Sequence, residues 1–219
     1  MIDPYLIIDI VVIAALTVLA LAAFVKNTSI DLNRTFGLFS LCIVVWIITN
    51  YISNDIHFPA HTALIATYIL FMFGLGAGIF LLRFCVTLAG DRRAKHVFSI
   101  AQFPLFLLAL LSATPLVVKG VHVQGHLYAV EFGPLSTLYF ILLPIVIIAA
   151  VYVVRRNMKI AHGAQKKRLQ IILRSMYWTF PSLLLAQAVI PATTGWFGLT
   201  NIGVTPMVIP SIWFVLQRC

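Results

Sequence analysis

Residues 155–168 read RRNMKIAHGAQKKR, and the assignment of this stretch decides the fold. Seven of the fourteen residues are basic when His162 is included, and none is acidic. Long apolar segments flank it on both sides. A block of like charge this size is too costly to place in hydrocarbon, so it reads as a loop on the cytoplasmic face of a membrane. Fixing that loop inside fixes the direction of every other segment.

Composition points the same way. Mean hydropathy is +1.04 and 10% of the 219 residues are charged, against roughly 25% in an ordinary soluble domain. Apolar windows long enough to span a bilayer fall at 5–25, 34–53, 62–82, 97–118, 134–154, 169–190 and 199–216. They predict an all-α membrane protein, a seven-transmembrane helix bundle forming one domain over 1–219. Pro104, Pro144, Pro181, Pro206 and Pro210 predict kinks rather than breaks, because neighbouring groups in a bundle re-satisfy freed carbonyls. The first run has no basic leader and is flanked by Asp3 and Asp9, so it is expected to be a retained anchor.

With 155–168 inside, Lys26, Arg34, Arg83, Arg92, Arg93, Lys95, Arg174 and Arg218 fall on the same side, and only Lys119 falls outside. Fourteen basic residues against one place the N-terminus outside and the C-terminus inside. Basic residues facing anionic lipid account for the net charge of +9. Membrane lipids are therefore expected partners and nucleic acid is not. The basic loop has a second reading, as a docking surface for an output partner. Cys42, Cys85 and Cys219 are too scattered for a disulfide framework or a metal cluster. Gly74 and Gly78, four apart in the third span, share a helix face and let another helix approach closely.

Three passages together resemble the N-terminal seven-transmembrane sensor region of bacterial histidine kinases. The first is Lys26-Asn27-Thr28-Ser29 through Asn33-Arg34-Thr35-Phe36, with Trp46 in mid-span. The second is Glu131-Phe132-Gly133-Pro134, opening the fifth span. The third is the basic stretch with Gln165, Arg168 and Gln170, followed by a span ending in a polar outer turn. The resemblance implies a sensory domain in the bacterial cytoplasmic (inner) membrane, a homodimer, and a cytoplasmic signalling module or kinase as output partner. The sequence ends at Gln217-Arg218-Cys219 with no phosphoacceptor helix pair and no ATP-binding domain. No enzymatic activity is expected of this polypeptide, and no cofactor.

Polar side chains within spans are costly and usually face a bundle interior. Asp9, Asn50, Tyr68, Ser136, Thr137, Gln187, Asn201 and Thr205 fall in the outer third, from six of the seven expected helices, while Gln102 and Ser182 lie deeper. Two readings stand. One is an outward-facing polar cavity for a small-molecule or peptide ligand, with Asp9, Asn50, Tyr68, Thr137, Gln187 and Asn201 as its contacts. The other is interhelical hydrogen bonding, worth about 0.6 kcal/mol apiece.

His57 and His61 are four apart, as are His122 and His126, with Asp55 and Glu131 nearby. On a helical turn, either pair would hold a divalent metal. Histidines that sense pH, or that are simply solvated, fit the same spacing, and a metal is not favoured.

Other seven-span and intramembrane functions lack their residues. A retinal Schiff base needs a lysine within the bundle, and all six lysines lie in loops or at span ends. Haem ligation needs facing histidines at depth, and an intramembrane protease needs a Ser/His or Asp pair or HExxH there. A small-molecule transporter is the alternative, although no inverted repeat relates the first three spans to the last three.

Overall fold

The computed structural model describes residues 4–26, 31–125 and 127–185. They form six helices and one hairpin: α1 (Pro4–Lys26), α2 (Asp31–Asn54), α3 (Ala60–Ala89), α4 (Arg92–Leu111), β1 (Val118–Gln124), β2 (Leu127–Phe132), α5 (Ser136–Met158) and α6 (Gly163–Leu184). Five of these, α1 to α5, are long and apolar enough to cross a membrane. Their outward faces are apolar too, as with Val97, Ile100, Phe103, Leu107 and Leu110 along α4. This is the build of a membrane protein. The sixth expected span runs past residue 185, and the seventh, 199–216, lies outside the described residues.

The helices run through Pro104, Pro144 and Pro181 without interruption. α3 is the spine: it packs against α2, α4, α5 and both strands. The small residues of its middle turns make those approaches possible. A Cβ on Gly78 would sit 3.3 Å from Leu143 and 3.5 Å from Val146 of α5, and one on Gly76 would sit 3.6 Å from Cys42 of α2. α3 ends where Gly90 adopts the left-handed conformation (φ 68°) that suits glycine at a helix C-terminus.

Several features differ from the sequence expectation, beginning with the third helix, which runs to Ala89 and not to 82. The fourth helix starts at Arg92 and stops at Leu111, not 97–118. Asp91 explains the start, because its carboxylate caps the helix by accepting from the Ala94 N–H at 3.0 Å. A tight turn over residues 112–117 explains the stop, with Ser112, Ala113 and Thr114 folding back on the last helical carbonyls. The outer connection after it is a β-hairpin. Finally, the basic stretch is mostly helical: α5 continues to Met158 and α6 begins at Gly163, leaving a four-residue link. Its charge marks where the helices leave the apolar zone, not where they end.

The hairpin turns at Gly125 (φ 65°) between paired Gln124 and Leu127, a two-residue connection that favours residues with positive φ. It bulges at Lys119, whose Nζ pairs with Glu131 at 2.7 Å across the strands. The hairpin rests on the α2–α3 connection, where Tyr128 donates its hydroxyl to the Phe58 carbonyl at 2.8 Å and Leu127 bridges to Asp55. Gly133 joins it to α5. A Cβ there would overlap the carbonyl oxygens of Pro115 and Leu116, so only glycine fits.

Candidate functional site

Helical periodicity brings one stripe from each of several helices to a common recess. Phe39, Ile43, Trp46 and Asn50 recur along one face of α2, and Phe71, Gly74, Gly78 and Leu81 along one face of α3. Tyr139, Phe140, Leu143 and Ile147 of α5 and Phe180 and Leu183 of α6 complete the wall. The cavity holds about 200 Å³. That is below the 300–1,000 Å³ typical of drug-sized sites, so it suits a small, largely apolar molecule.

Gly74 makes the cavity. A Cβ there would come within 2.9 Å of the Tyr139 hydroxyl and 3.4 Å of the Trp46 indole. In the space left by the missing side chain, Tyr139 reaches across from α5 and donates its hydroxyl to the Phe71 carbonyl at 3.0 Å. Asn50 supplies polarity near the hairpin end. Its Oδ1 accepts from Asn54 Nδ2 at 3.2 Å. The aromatic wall continues out of the cavity. Phe71 contacts Tyr139 and Phe140 with centroids 5.0 and 6.1 Å apart, and both Phe71 and Phe140 contact Phe132 of β2 at 6.0 and 5.2 Å.

Of the polar residues singled out in the sequence, Asn50 lines this cavity and is buried. Asp9 is buried on α1, which packs against α2. Asp9 is five residues from the start of α1 and Asn50 four from the end of α2, so both sit about 7 Å from the hairpin end of their helices. Tyr68 is half-buried on α3 outside the cavity wall. Ser136 is buried and donates to the Gly133 carbonyl at 2.7 Å, while Thr137 is exposed. Gln187, Asn201 and Thr205 lie outside the described residues. Sequence reasoning missed Trp46, Gly74, Tyr139 and Phe140 as cavity residues. The signal available for them was the common helix face of Trp46 and Asn50.

The histidines do not occupy helical turns as pairs. His57 sits in the turn before α3 and His61 within its first turn, so they do not form an i, i+4 helical pair. His122 lies in β1, and His126 is outside the described residues. Among the described residues, no group of three His, Cys, Asp or Glu side chains is placed to hold a metal. His57 is bound to Asp55 instead, with Nδ1 2.6 Å and the backbone N–H 2.9 Å from Oδ1. Partial burial pushes the Asp55 carboxyl up, but these His57 hydrogen bonds and the imidazole charge outweigh it and hold Asp55 below the usual aspartate range.

At the opposite, basic end, polar bonds tie the helices together. Arg83 of α3 pairs with Asp31 of α2 at 2.9 Å, and Thr87 donates to the other Asp31 oxygen at 3.4 Å. Asp91 accepts from Asn157 of α5 at 3.1 Å as well as capping α4. The Ala94 N–H first, then the Asn157 amide, hold the Asp91 carboxyl below its usual range. Gln165 of α6 donates to the Ala89 carbonyl at 3.5 Å.

No family model matches the chain, and no curated protein is significantly similar to it. The resemblance to histidine-kinase sensor regions rests on the three passages quoted above. Of their described residues, Asn33 is buried in the first turn of α2, Trp46 lies within α2, Gly133 sits at the hairpin–α5 junction, and Gln165 links α6 to α3.

Proposed function

We propose that this chain is a membrane-embedded sensory domain of the histidine-kinase type, with seven spans in a bacterial cytoplasmic membrane and its N-terminus outside. A small amphipathic ligand enters between α2, α3, α5 and α6 near the hairpin end. Its binding favours one arrangement of those helices over another, and the basic end passes that change to a cytoplasmic output module, most simply within a homodimer.

One observation carries this reading. The cavity is walled by aromatic residues continuous with the hairpin through Phe132, and three of the same helices are tied at their far ends, α2 to α3 by Asp31–Arg83 and α6 to α3 by Gln165 and the Ala89 carbonyl. A recess connected to the bundle at each end supports the reading as a receptor.

The test uses Trp46 as the sole tryptophan, with Trp178, Trp196 and Trp213 replaced by Phe. Brominated octanol should quench its fluorescence saturably, and Gly78→Leu, which fills the cavity, should abolish that component. Spin labels at Lys95 and Lys166 should change separation over the same alcohol range. Quenching that is linear and indifferent to Gly78→Leu would remove the ligand site. Accumulation of labelled alcohol inside sealed vesicles would make the chain a transporter.

A further inference from the structure

A second recess lies at the basic end, on the outside of the bundle. α4 and α5 each pack on α3, while among the described residues they scarcely touch one another. A groove of about 540 Å³ opens between them with α3 as its floor. It shares no lining residue with the aromatic cavity. Its walls are apolar, with Val86 below and Ala101, Leu105 and Ala149 at the sides.

Its mouth is charged. Arg93, in the first turn of α4, and Arg156, in the last turn of α5, flank it from opposite sides. Neither forms an ion pair within 4 Å among the described residues, although, after the Ala94 N–H and the Asn157 amide, the Arg156 charge helps to hold down the Asp91 carboxyl nearby. Asp91, also at the mouth, is already engaged by the Ala94 N–H and the Asn157 amide. Counting all three side chains, the mouth carries net positive charge, and Arg92, Lys95 and Arg155 lie within the same helix turns.

The depth of the groove fits one leaflet. From Arg93 to Leu105 is twelve residues, or about 18 Å of helix, against roughly 15 Å for half of the hydrocarbon core. An uncharged detergent or a packed helix would make no use of two guanidinium groups at one end of an apolar slot. A phosphate above an acyl chain uses both, because guanidinium binds phosphate oxygens in pairs.

We propose that this groove binds one phospholipid with an anionic headgroup, its acyl chain lying on α3 between α4 and α5 and its phosphate held by Arg93 and Arg156. Phosphatidylcholine has the same phosphate but adds a choline cation beside the two guanidinium groups, so the site favours the anionic headgroup; it is separate from the aromatic cavity.

The test takes the full chain in detergent and counts bound lipid by native mass spectrometry, comparing dioleoyl phosphatidylglycerol with dioleoyl phosphatidylcholine. One phosphatidylglycerol should be retained in preference to phosphatidylcholine. Arg93→Gln with Arg156→Gln should lower its affinity by at least roughly tenfold, because charge-assisted hydrogen bonds to the phosphate are lost, whereas Lys166→Gln with Lys167→Gln, on α6 away from the groove, should leave the preference in place. Ala149→Phe should block both lipids, and Ala101→Phe on the facing helix serves if the first variant does not fold. Equal losses in the two double variants would reduce the effect to diffuse surface charge and overturn the proposal. Retention that survives a filled groove, displacement of the lipid by inorganic phosphate alone, or a second copy of the chain seated there would do the same.

Discussion

The Tyr139 hydroxyl lies 3.0 Å from the Phe71 carbonyl oxygen it donates to, directly over the bare Cα of Gly74. Two side-chain choices on two helices, Tyr139 and Gly74, are thus one arrangement. Tyr139→Phe should cost about 1 kcal/mol, the net value of a hydrogen bond to a carbonyl that keeps its own helical partner. Gly74→Ala should cost about 2 kcal/mol, because the new methyl meets the hydroxyl at 2.9 Å. Combining them should cost less than the sum, since phenylalanine removes the atom the methyl strikes. Unfolding of purified protein in mixed micelles measures all three, and strict additivity would contradict this geometry.

Gly133 and Gly120 make a matched pair. At Gly133 the obstructing atoms are backbone oxygens that cannot retreat, and the Gly133 N–H to Val117 and Leu135 N–H to Leu116 bonds depend on the same close approach. Gly133→Ala should cost about 3 kcal/mol and expose the hairpin to protease. Gly120→Ala meets the mobile end of Glu131 at 3.7 Å and should fall within about 0.5 kcal/mol of the parent. Equal proteolysis of the two variants would discount the backbone contact.

Acid should loosen the α4 start before the rest of the bundle. The folded Asp91 carboxyl is held below its ordinary value, near 3.9 when unperturbed. Its contribution to stability is complete above that value and is lost as pH falls through the lower folded one. Hydrogen exchange at the Ala94 amide, the donor to Asp91, should therefore lose protection below about pH 4. Asp91→Asn should keep the cap and remove that pH dependence. Asp91→Ala should cost about 1 kcal/mol at neutral pH. An unchanged exchange profile in Asp91→Asn would show that another group titrates.

The Arg83–Asp31 pair should matter less than its position suggests. Both side chains are about one-third exposed, so solvent screens the attraction, and Arg83→Gln should cost about 0.5 kcal/mol. A loss several times larger, measured as a fall in unfolding midpoint, would mean that the pair is sealed from water in the bilayer.

Much of this architecture was legible in hydropathy, because 20 apolar residues in a row have few other uses. The hairpin was not, since Val118, Val121 and Val123 extend the apolar run of the fourth segment and hide its end. Their alternation with His122 and Gln124, closed by Gly125, was the strand signature. The basic stretch misled in the opposite sense: polarity reports contact with water, whereas Gln165 to Arg168 remain helical. Asn50 stood out because a buried amide is rare in an apolar segment. Trp46 and Tyr139 did not, because aromatic rings in such a segment look like any other lipid-facing bulk until their neighbours are known.

α3 has 30 residues, about 45 Å of helix, against roughly 30 Å of hydrocarbon. It must lean or protrude, and since α2, α4, α5 and the hairpin are all packed on it, its inclination is theirs as well. A thinner bilayer should demand a steeper lean and a thicker one a more upright stance. Membrane thickness is therefore a physical input to the shape of the whole bundle, acting on its longest member even where no molecule is bound.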